Sequence, residues 1–146
     1  MQTRIKSLAI TPVSLAGVAI SVPWLLVHSP VLGLAAQRAF ALVCHQHADR
    51  SFVLFGGTVA VCARCLGIYL GAAMGLLLRM PRQFAERLLL AAAAINLTDW
   101  LAEIAGLHGN WTFTRFALGL VLGSAAAMLV TASIDDVNVP AHAKAV

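Results

Sequence analysis

Charged residues are scarce in this sequence. Lys, Arg, Asp and Glu make up 11% of the 146 residues, whereas an ordinary soluble domain contains about 25%. Hydrophobic residues reach 60% and the mean hydropathy is +0.86. These values exclude an ordinary soluble domain and favour a protein that is embedded in the lipid bilayer, the one partner that composition alone predicts.

Features of nucleic-acid and nucleotide binding are also lacking. The net charge is +4, but the basic residues stand singly between apolar segments and form no basic stripe. The sequence contains no nucleotide-binding motif, nucleophilic triad or haem-attachment signature. We therefore expect no nucleic-acid partner, and whether the protein is an enzyme stays open.

Long apolar runs predict an all-α integral membrane bundle of four transmembrane helices. A helix needs about 20 residues to cross the hydrocarbon, and the Ala- and Leu-rich runs lack the period-two alternation of strands. The predicted spans are residues 8–27, 60–78, 85–105 and 114–134. Together they form a single domain, residues 1–134, followed by a flexible tail, residues 135–146. Residues 31–43 are apolar but too short to span, which suits an interfacial helix or an extension leading into Cys44.

The basic residues predict the orientation. A cleaved signal peptide is an alternative for the N-terminus, but residues 8–27 are longer than a typical signal-peptide core. Six Lys and Arg residues lie on the side of the N-terminus and four on the other, and the short loop RMPRQFAER is densely basic. We expect both termini in the cytoplasm, because positive loops stay inside. The Cys/His loop then lies on the outer face.

All three cysteines lie within 22 residues, which points to a site. Cys62 and Cys65 are three residues apart at the start of a predicted helix, so that both sulfurs share one face. Cys44 precedes them and is followed by His45 and His47. Zinc in structural sites takes four nitrogen or sulfur ligands, and three cysteines with one histidine supply that number. Geometry favours His47, since Cys44 and His45 are adjacent and converge only through a sharp turn.

Other roles for these cysteines remain open. The Cys-x-x-Cys pair could form a redox dithiol in a membrane thiol-disulfide oxidoreductase, although a second pair to shuttle electrons is missing. The cysteines could also be plain structural thiols, or belong to a transporter of a metal or small ion. The intervening loop contains Gly56 and Gly57, and these paired glycines predict a short hairpin.

Polar residues in the apolar helices could support the site. Ionisable groups in a membrane helix usually face a partner or water, and Arg115 is the expected partner of Asp99 or Glu103. One polar pocket could unite these three residues with the cysteines, and a register-fixing ion pair is the alternative. The supporting candidates are His47, Arg50, Arg64, Tyr69, Asp99, Glu103 and Arg115.

Small residues recur at every fourth position in two of the predicted helices. Such faces let helix backbones approach closely. We expect the two helices to pack together, either within one chain or between copies in a homo-oligomer. The glycines are Gly67, Gly71 and Gly75 in the second span, and Gly119 and Gly123 in the fourth.

The cysteine stretch resembles a known family. The string C-H-Q…R-S-F…F-G…V-C-A-R-C-x-G-I-Y-x-G is similar to that of domain-of-unknown-function family 2085, small multi-pass membrane proteins of bacteria and archaea. The matching residues are Cys44, His45, Gln46, Arg50, Ser51, Gly56, Cys62, Arg64, Cys65, Gly67, Tyr69 and Gly71, with a weaker match at Asp99, Arg115, Gly119 and Gly123.

The resemblance implies a membrane fold but no activity. The sequence departs from the family pattern at Ala60, Leu66 and Trp100, and these departures concern details of the loops. The resemblance favours His45 over His47 as the functional histidine, so that the predicted zinc ligands are Cys44, His45, Cys62 and Cys65.

Overall fold

The computed structural model describes residues 2–107, 109 and 111–138 and is mainly helical. Five helices and one short hairpin follow each other along the chain. They are α1 (Gln2–His28), α2 (Pro30–Ala41), β1 (Val53–Leu54), β2 (Gly57–Thr58), α3 (Ala63–Leu77), α4 (Arg82–Ile104) and α5 (Thr112–Asn138), with a single 3-10 turn at Ala48–Arg50. The all-helical prediction is confirmed apart from this hairpin, which the paired glycines had indicated.

Within the described part of the chain, two helices have the length and hydropathy of membrane-crossing segments. They are Ile10–His28 within α1 and Thr112–Asp135 within α5. The α4 helix has 23 residues but carries charged residues at both ends, and α3 has only 15. The predicted count of four spanning helices is therefore not confirmed. The α5 helix continues to Asn138, beyond the predicted end of its span, and residues 139–146 lie outside the described part of the chain.

The α3 helix begins at Ala63, three residues later than the predicted second span. The amide of Ala60 donates a hydrogen bond to the carbonyl of Ala19 in α1, at 3.3 Å. The amide of Cys62 donates to Cys44 Sγ at 3.2 Å. These amides bind distant parts of the chain, and residues 60–62 form a non-helical segment that leads into α3.

The α2 helix folds back along α1 rather than lying apart from it. Its Gly33 sits so close to Leu26 that an added Cβ would lie 2.7 Å from the Leu26 amide nitrogen. Three residues after Ala41, the last residue of α2, Cys44 joins a buried cluster with Ala16 and Ala19. Ala19 lies nine residues before the end of α1, about 14 Å at 1.5 Å per residue. The segment that carries the cysteines therefore lies beside the middle of α1.

The α3 and α5 helices are parallel and in direct backbone contact. A Cβ on Gly67 would overlap the carbonyl oxygen of Phe116, and one on Gly71 would overlap that of Leu120. Gly119 and Gly123 of α5 meet α3 in the same way. The predicted glycine faces thus pack within one chain, and contact between two copies through the same glycines would require this packing to open.

Candidate metal centre

The three cysteines converge at the start of α3. Cys62 is the N-cap of the helix and Cys65 lies in its first turn, so the three-residue spacing places both sulfurs on one side. Cys44 reaches them from the end of α2. The three Sγ atoms all lie within 4.8 Å of one another. The predicted convergence of cysteines that are distant in sequence is therefore present in the fold.

Gln46 holds the segment after Cys44 in place. Its backbone has a φ of 51°, a left-handed conformation that non-glycine residues rarely adopt. Its side-chain amide donates one hydrogen bond to the carbonyl of Gln37, at 2.7 Å, and one to that of Ala60, at 2.8 Å. These bonds connect α2 to the segment that leads into α3. In the sequence, Gln46 is marked only by its place in the C-H-Q string, which does not reveal these hydrogen bonds.

The surroundings of the three sulfurs are mainly apolar. Cys44 is 5% exposed and belongs to the core cluster, whereas Cys62 and Cys65 are half-buried against it. Tyr69 packs on the same cluster one helical turn after Cys65. The sulfurs thus lie inside the protein, and an ion bound among them would be largely removed from water.

The surroundings of Cys44 stabilise its thiolate form. Hydrogen bonds from the side chain of Cys62, and then from that of Cys65, hold the pKa of the Cys44 thiol well below its ordinary value. The backbone amide of Cys62 adds a further donor at the N-terminus of α3, where the helix dipole favours negative charge. The thiolate is the form of cysteine that binds metals.

The two histidines lie outside this group. Among the described residues, the set of mutually close ligand atoms contains Cys44, Cys62 and Cys65 only. His45 and His47 are exposed, and their rings lie nearly parallel with centroids 6.2 Å apart. His45 follows Cys44 directly, so its side chain leaves the backbone in a different direction from the buried sulfur.

The predicted polar residues of α4 form ion pairs rather than joining the sulfurs. Arg64 of α3 donates to Asp99 at 2.5 Å. Glu103 binds Arg115 through Oε2 and Arg50 through Oε1, the latter at 3.0 Å. The expected pairing of Arg115 with Asp99 or Glu103 is thus confirmed for Glu103. Neither carboxylate belongs to the three-cysteine group.

The ion pairs of Glu103 connect the cysteine loop, residues 45–61 between Cys44 and Cys62, to the helices α4 and α5. Arg50 belongs to the loop, and Phe52, two residues later, makes edge-to-face contacts with Phe113 and Phe116 of α5. On its other side the loop contacts α1, where Gly57 meets Pro23. The loop is therefore held between α1 and α5, which keeps Cys44 against the start of α3.

Comparison with known proteins covers the same region. The family model described as "Predicted membrane protein (DUF2085)" matches residues 44–129. The match starts at Cys44, includes all three cysteines and extends into α5. The chain belongs to this family. In this DUF2085 protein the family region thus contains the cysteine group and the ion pairs, and both α1 and α2 precede it.

Two archaeal relatives are similar to the chain. An uncharacterized protein of Methanocaldococcus jannaschii is 29% identical over 102 residues, 63% of this chain and 64% of the relative. An uncharacterized protein of Methanothermobacter thermautotrophicus is 30% identical over 95 residues, 62% of this chain and 86% of the relative. The chain thus spans less than two thirds of the first relative. No solved structure matches it.

Proposed function

We propose that this DUF2085 protein is a membrane protein that binds one thiophilic divalent metal ion, zinc by preference, through Cys44, Cys62 and Cys65. The observation that carries the proposal is the mutual approach of the three Sγ atoms to within 4.8 Å. Sulfurs that share a tetrahedral zinc ion at 2.3 Å lie about 3.8 Å apart. The sulfurs thus need only small movements to reach that geometry.

His45 is the proposed fourth ligand, in accord with the family resemblance. It is exposed, so its side chain can rotate without disturbing a packed core. His47 is the alternative, and its ring lies close to that of His45.

The ion would have a structural role. It would connect the end of α2 to the start of α3, two points that are 18 residues apart at Cys44 and Cys62. Metal binding to such a preformed site contributes directly to folding free energy. The engagement of Asp99, Glu103 and Arg115 in ion pairs favours the register-fixing alternative for these charges over a transport path.

We also propose an orientation of the protein in the membrane. The basic loop between α3 and α4 supports cytoplasmic termini, with the cysteine loop on the outer side. Reporter fusions at the C-terminus, one active only in the cytoplasm and one active only outside, would test it. Activity of the outside reporter alone would reverse the orientation.

Elemental analysis and thiol counting test the metal site. The full chain is purified in mild detergent without added metal, and its thiols are titrated with and without a chelator. We expect one metal per chain and three thiols that react only after chelation. His45→Ala should weaken zinc binding, whereas His28→Ala, a control at the exposed end of α1, should not. A metal-free chain with a Cys62–Cys65 disulfide would contradict the proposal and support the redox alternative.

A further inference from the structure

The cysteine group offers three sulfurs and no further ligand in its present geometry. Among residues 2–107, 109 and 111–138, no histidine or carboxylate joins the set of close ligand atoms. Nearby cationic side chains are engaged elsewhere, since Arg64 bonds to Asp99 and Arg115 to Glu103. The group therefore favours an ion that is saturated by three sulfurs and needs no neutralising partner.

Charge distinguishes the ions that three thiolates can bind. A monovalent ion leaves a complex with two negative charges, a divalent ion leaves one, and a trivalent ion leaves none. Burial of an uncompensated charge among apolar groups is costly, and the walls here include Ala16, Ala19 and Phe40. The α3 N-terminus stabilises only a part of one negative charge. A neutral complex avoids this cost.

We propose that Cys44, Cys62 and Cys65 also bind a trivalent metalloid hydroxide of the arsenite class, as a neutral tris-thiolate. Arsenic and antimony in this state form three bonds and keep a lone pair, so three sulfurs complete their coordination. The two remaining thiols each give a proton to one hydroxide of the metalloid, and the hydroxide displaced by the Cys44 thiolate takes its proton from the solvent. Three sulfur–metalloid bonds form, three metalloid–oxygen bonds break, and three waters leave without electron transfer.

The group is already arranged for this reaction. Gln46 fixes the Cys44 segment through two backbone carbonyls, and Cys62 and Cys65 are fixed by the first turn of α3. Ligands held near their bound positions lose little conformational freedom on binding. This inference rests on the same three cysteines as the proposed function but does not require a histidine.

Titration of the full chain in detergent tests the inference. The metal-free, reduced protein is titrated separately with arsenite, with antimonyl tartrate and with zinc. We expect one arsenic or antimony per chain and the loss of all three free thiols. His45→Ala and His47→Ala should leave arsenite affinity within about twofold, whereas Cys44→Ser should lower it by at least about tenfold, as expected when one of three bonds is lost.

Native mass spectrometry of the wild-type protein makes the result independent of variant folding. A tris-thiolate adds one arsenic atom and removes three hydrogens, whereas a two-sulfur complex retains a hydroxide. A retained hydroxide, or unchanged arsenite affinity in Cys44→Ser, overturns the inference while zinc binding leaves the proposed function intact. Arsenite binding without zinc binding supports the inference and overturns the proposed function. Binding of neither probe overturns both.

Discussion

Glu103 near the end of α4 binds Arg115 at the start of α5, and its second carboxylate oxygen binds Arg50 of the cysteine loop. The side chain of Arg115 is only 6% exposed and that of Glu103 is 14% exposed. One carboxylate therefore connects three separate segments of the chain at a largely buried point. Its removal would leave two guanidinium groups without their common partner.

We predict that Glu103→Gln strongly destabilises the protein. Breaking a buried ion pair by neutralising one partner costs about 3–5 kcal/mol, because the remaining charge stays buried. The free energy of unfolding, measured in detergent with a chemical denaturant, should fall by that order. The matched control is Glu86→Gln, since Glu86 pairs with Arg82 on an exposed helix surface, where such pairs contribute about 0–1 kcal/mol.

A double-mutant cycle separates this pair from general damage to the fold. Arg115→Met combined with Glu103→Gln should cost less than the sum of the two single changes, since neither charge then remains buried alone. Strictly additive costs would show that Glu103 and Arg115 do not interact in solution.

Because α3 and α5 are in backbone contact, we predict that a single methyl group added at a contact glycine strongly lowers the free energy of unfolding. Gly67→Ala places its Cβ against the Phe116 carbonyl oxygen and Gly71→Ala against that of Leu120, and neither backbone can yield locally. Each should lower the unfolding free energy by at least about 1–3 kcal/mol. Thermal unfolding of the detergent-solubilised chain measures the effect.

Gly17→Ala provides the control for the glycine variants. Gly17 lies within α1, and an added Cβ meets no atom within 4 Å. Alanine also has the higher helix propensity, so this change should leave Tm unchanged or slightly raised. An equal loss of stability in Gly17→Ala and Gly67→Ala would show that α3 and α5 are not in close contact.

Gln46→Ala should loosen the cysteine group without unfolding the chain. It removes both hydrogen bonds that connect Gln37 to Ala60 through the Gln46 amide. We expect metal affinity to fall by about 10–100-fold, the usual effect of losing a residue that orients the ligands. Competition with a chromogenic chelator measures this affinity. Gln37→Ala is the control, because Gln37 contributes only its backbone carbonyl, and an equal loss there would argue against the role of Gln46.

The lowered pKa of Cys44 predicts a thiolate in the metal-free, reduced protein. A lowered pKa keeps the thiol ionised at pH values below its ordinary value of 9.0. Thiolate ultraviolet absorbance at pH 7 should therefore indicate about one thiolate per chain, since unperturbed cysteines are mostly protonated there. The signal should vanish in Cys44→Ser and on unfolding. A signal that persists in Cys44→Ser would assign the thiolate to another cysteine.

Several features of the fold could be predicted from the sequence because they depend on local geometry. The helices follow from apolar runs, and Cys62 and Cys65 share a face because they are three residues apart on a helix. The glycines at every fourth position predicted the α3–α5 contact, although the spacing could not tell whether one chain or two would form it. The hairpin at Gly56 and Gly57 follows from turn chemistry.

The sequence alone was less informative about structure that depends on hydrogen bonds or ion pairs between distant segments. The first residues of the predicted second span, 60–62, are not helical, and the amides of Ala60 and Cys62 bind Ala19 and Cys44. The choice between Asp99 and Glu103 as partner of Arg115 was likewise open, because both carboxylates lie on one helix face. In the structure Arg64 pairs with Asp99, and Arg50 lies beside Glu103, the carboxylate that also binds Arg115.

By itself, the sequence determined a hydrophobic helical protein with two cysteines side by side at a helix start, since composition and helical spacing act within a few residues. The approach of Cys44 to this pair was a prediction, and the tertiary structure alone decided that the three cysteines meet beside the middle of α1. That placement requires α2 to fold back on Leu26 and Gln46 to bind two carbonyls from different segments. Contacts of this kind depend on which surfaces pack together, and no local pattern encodes them.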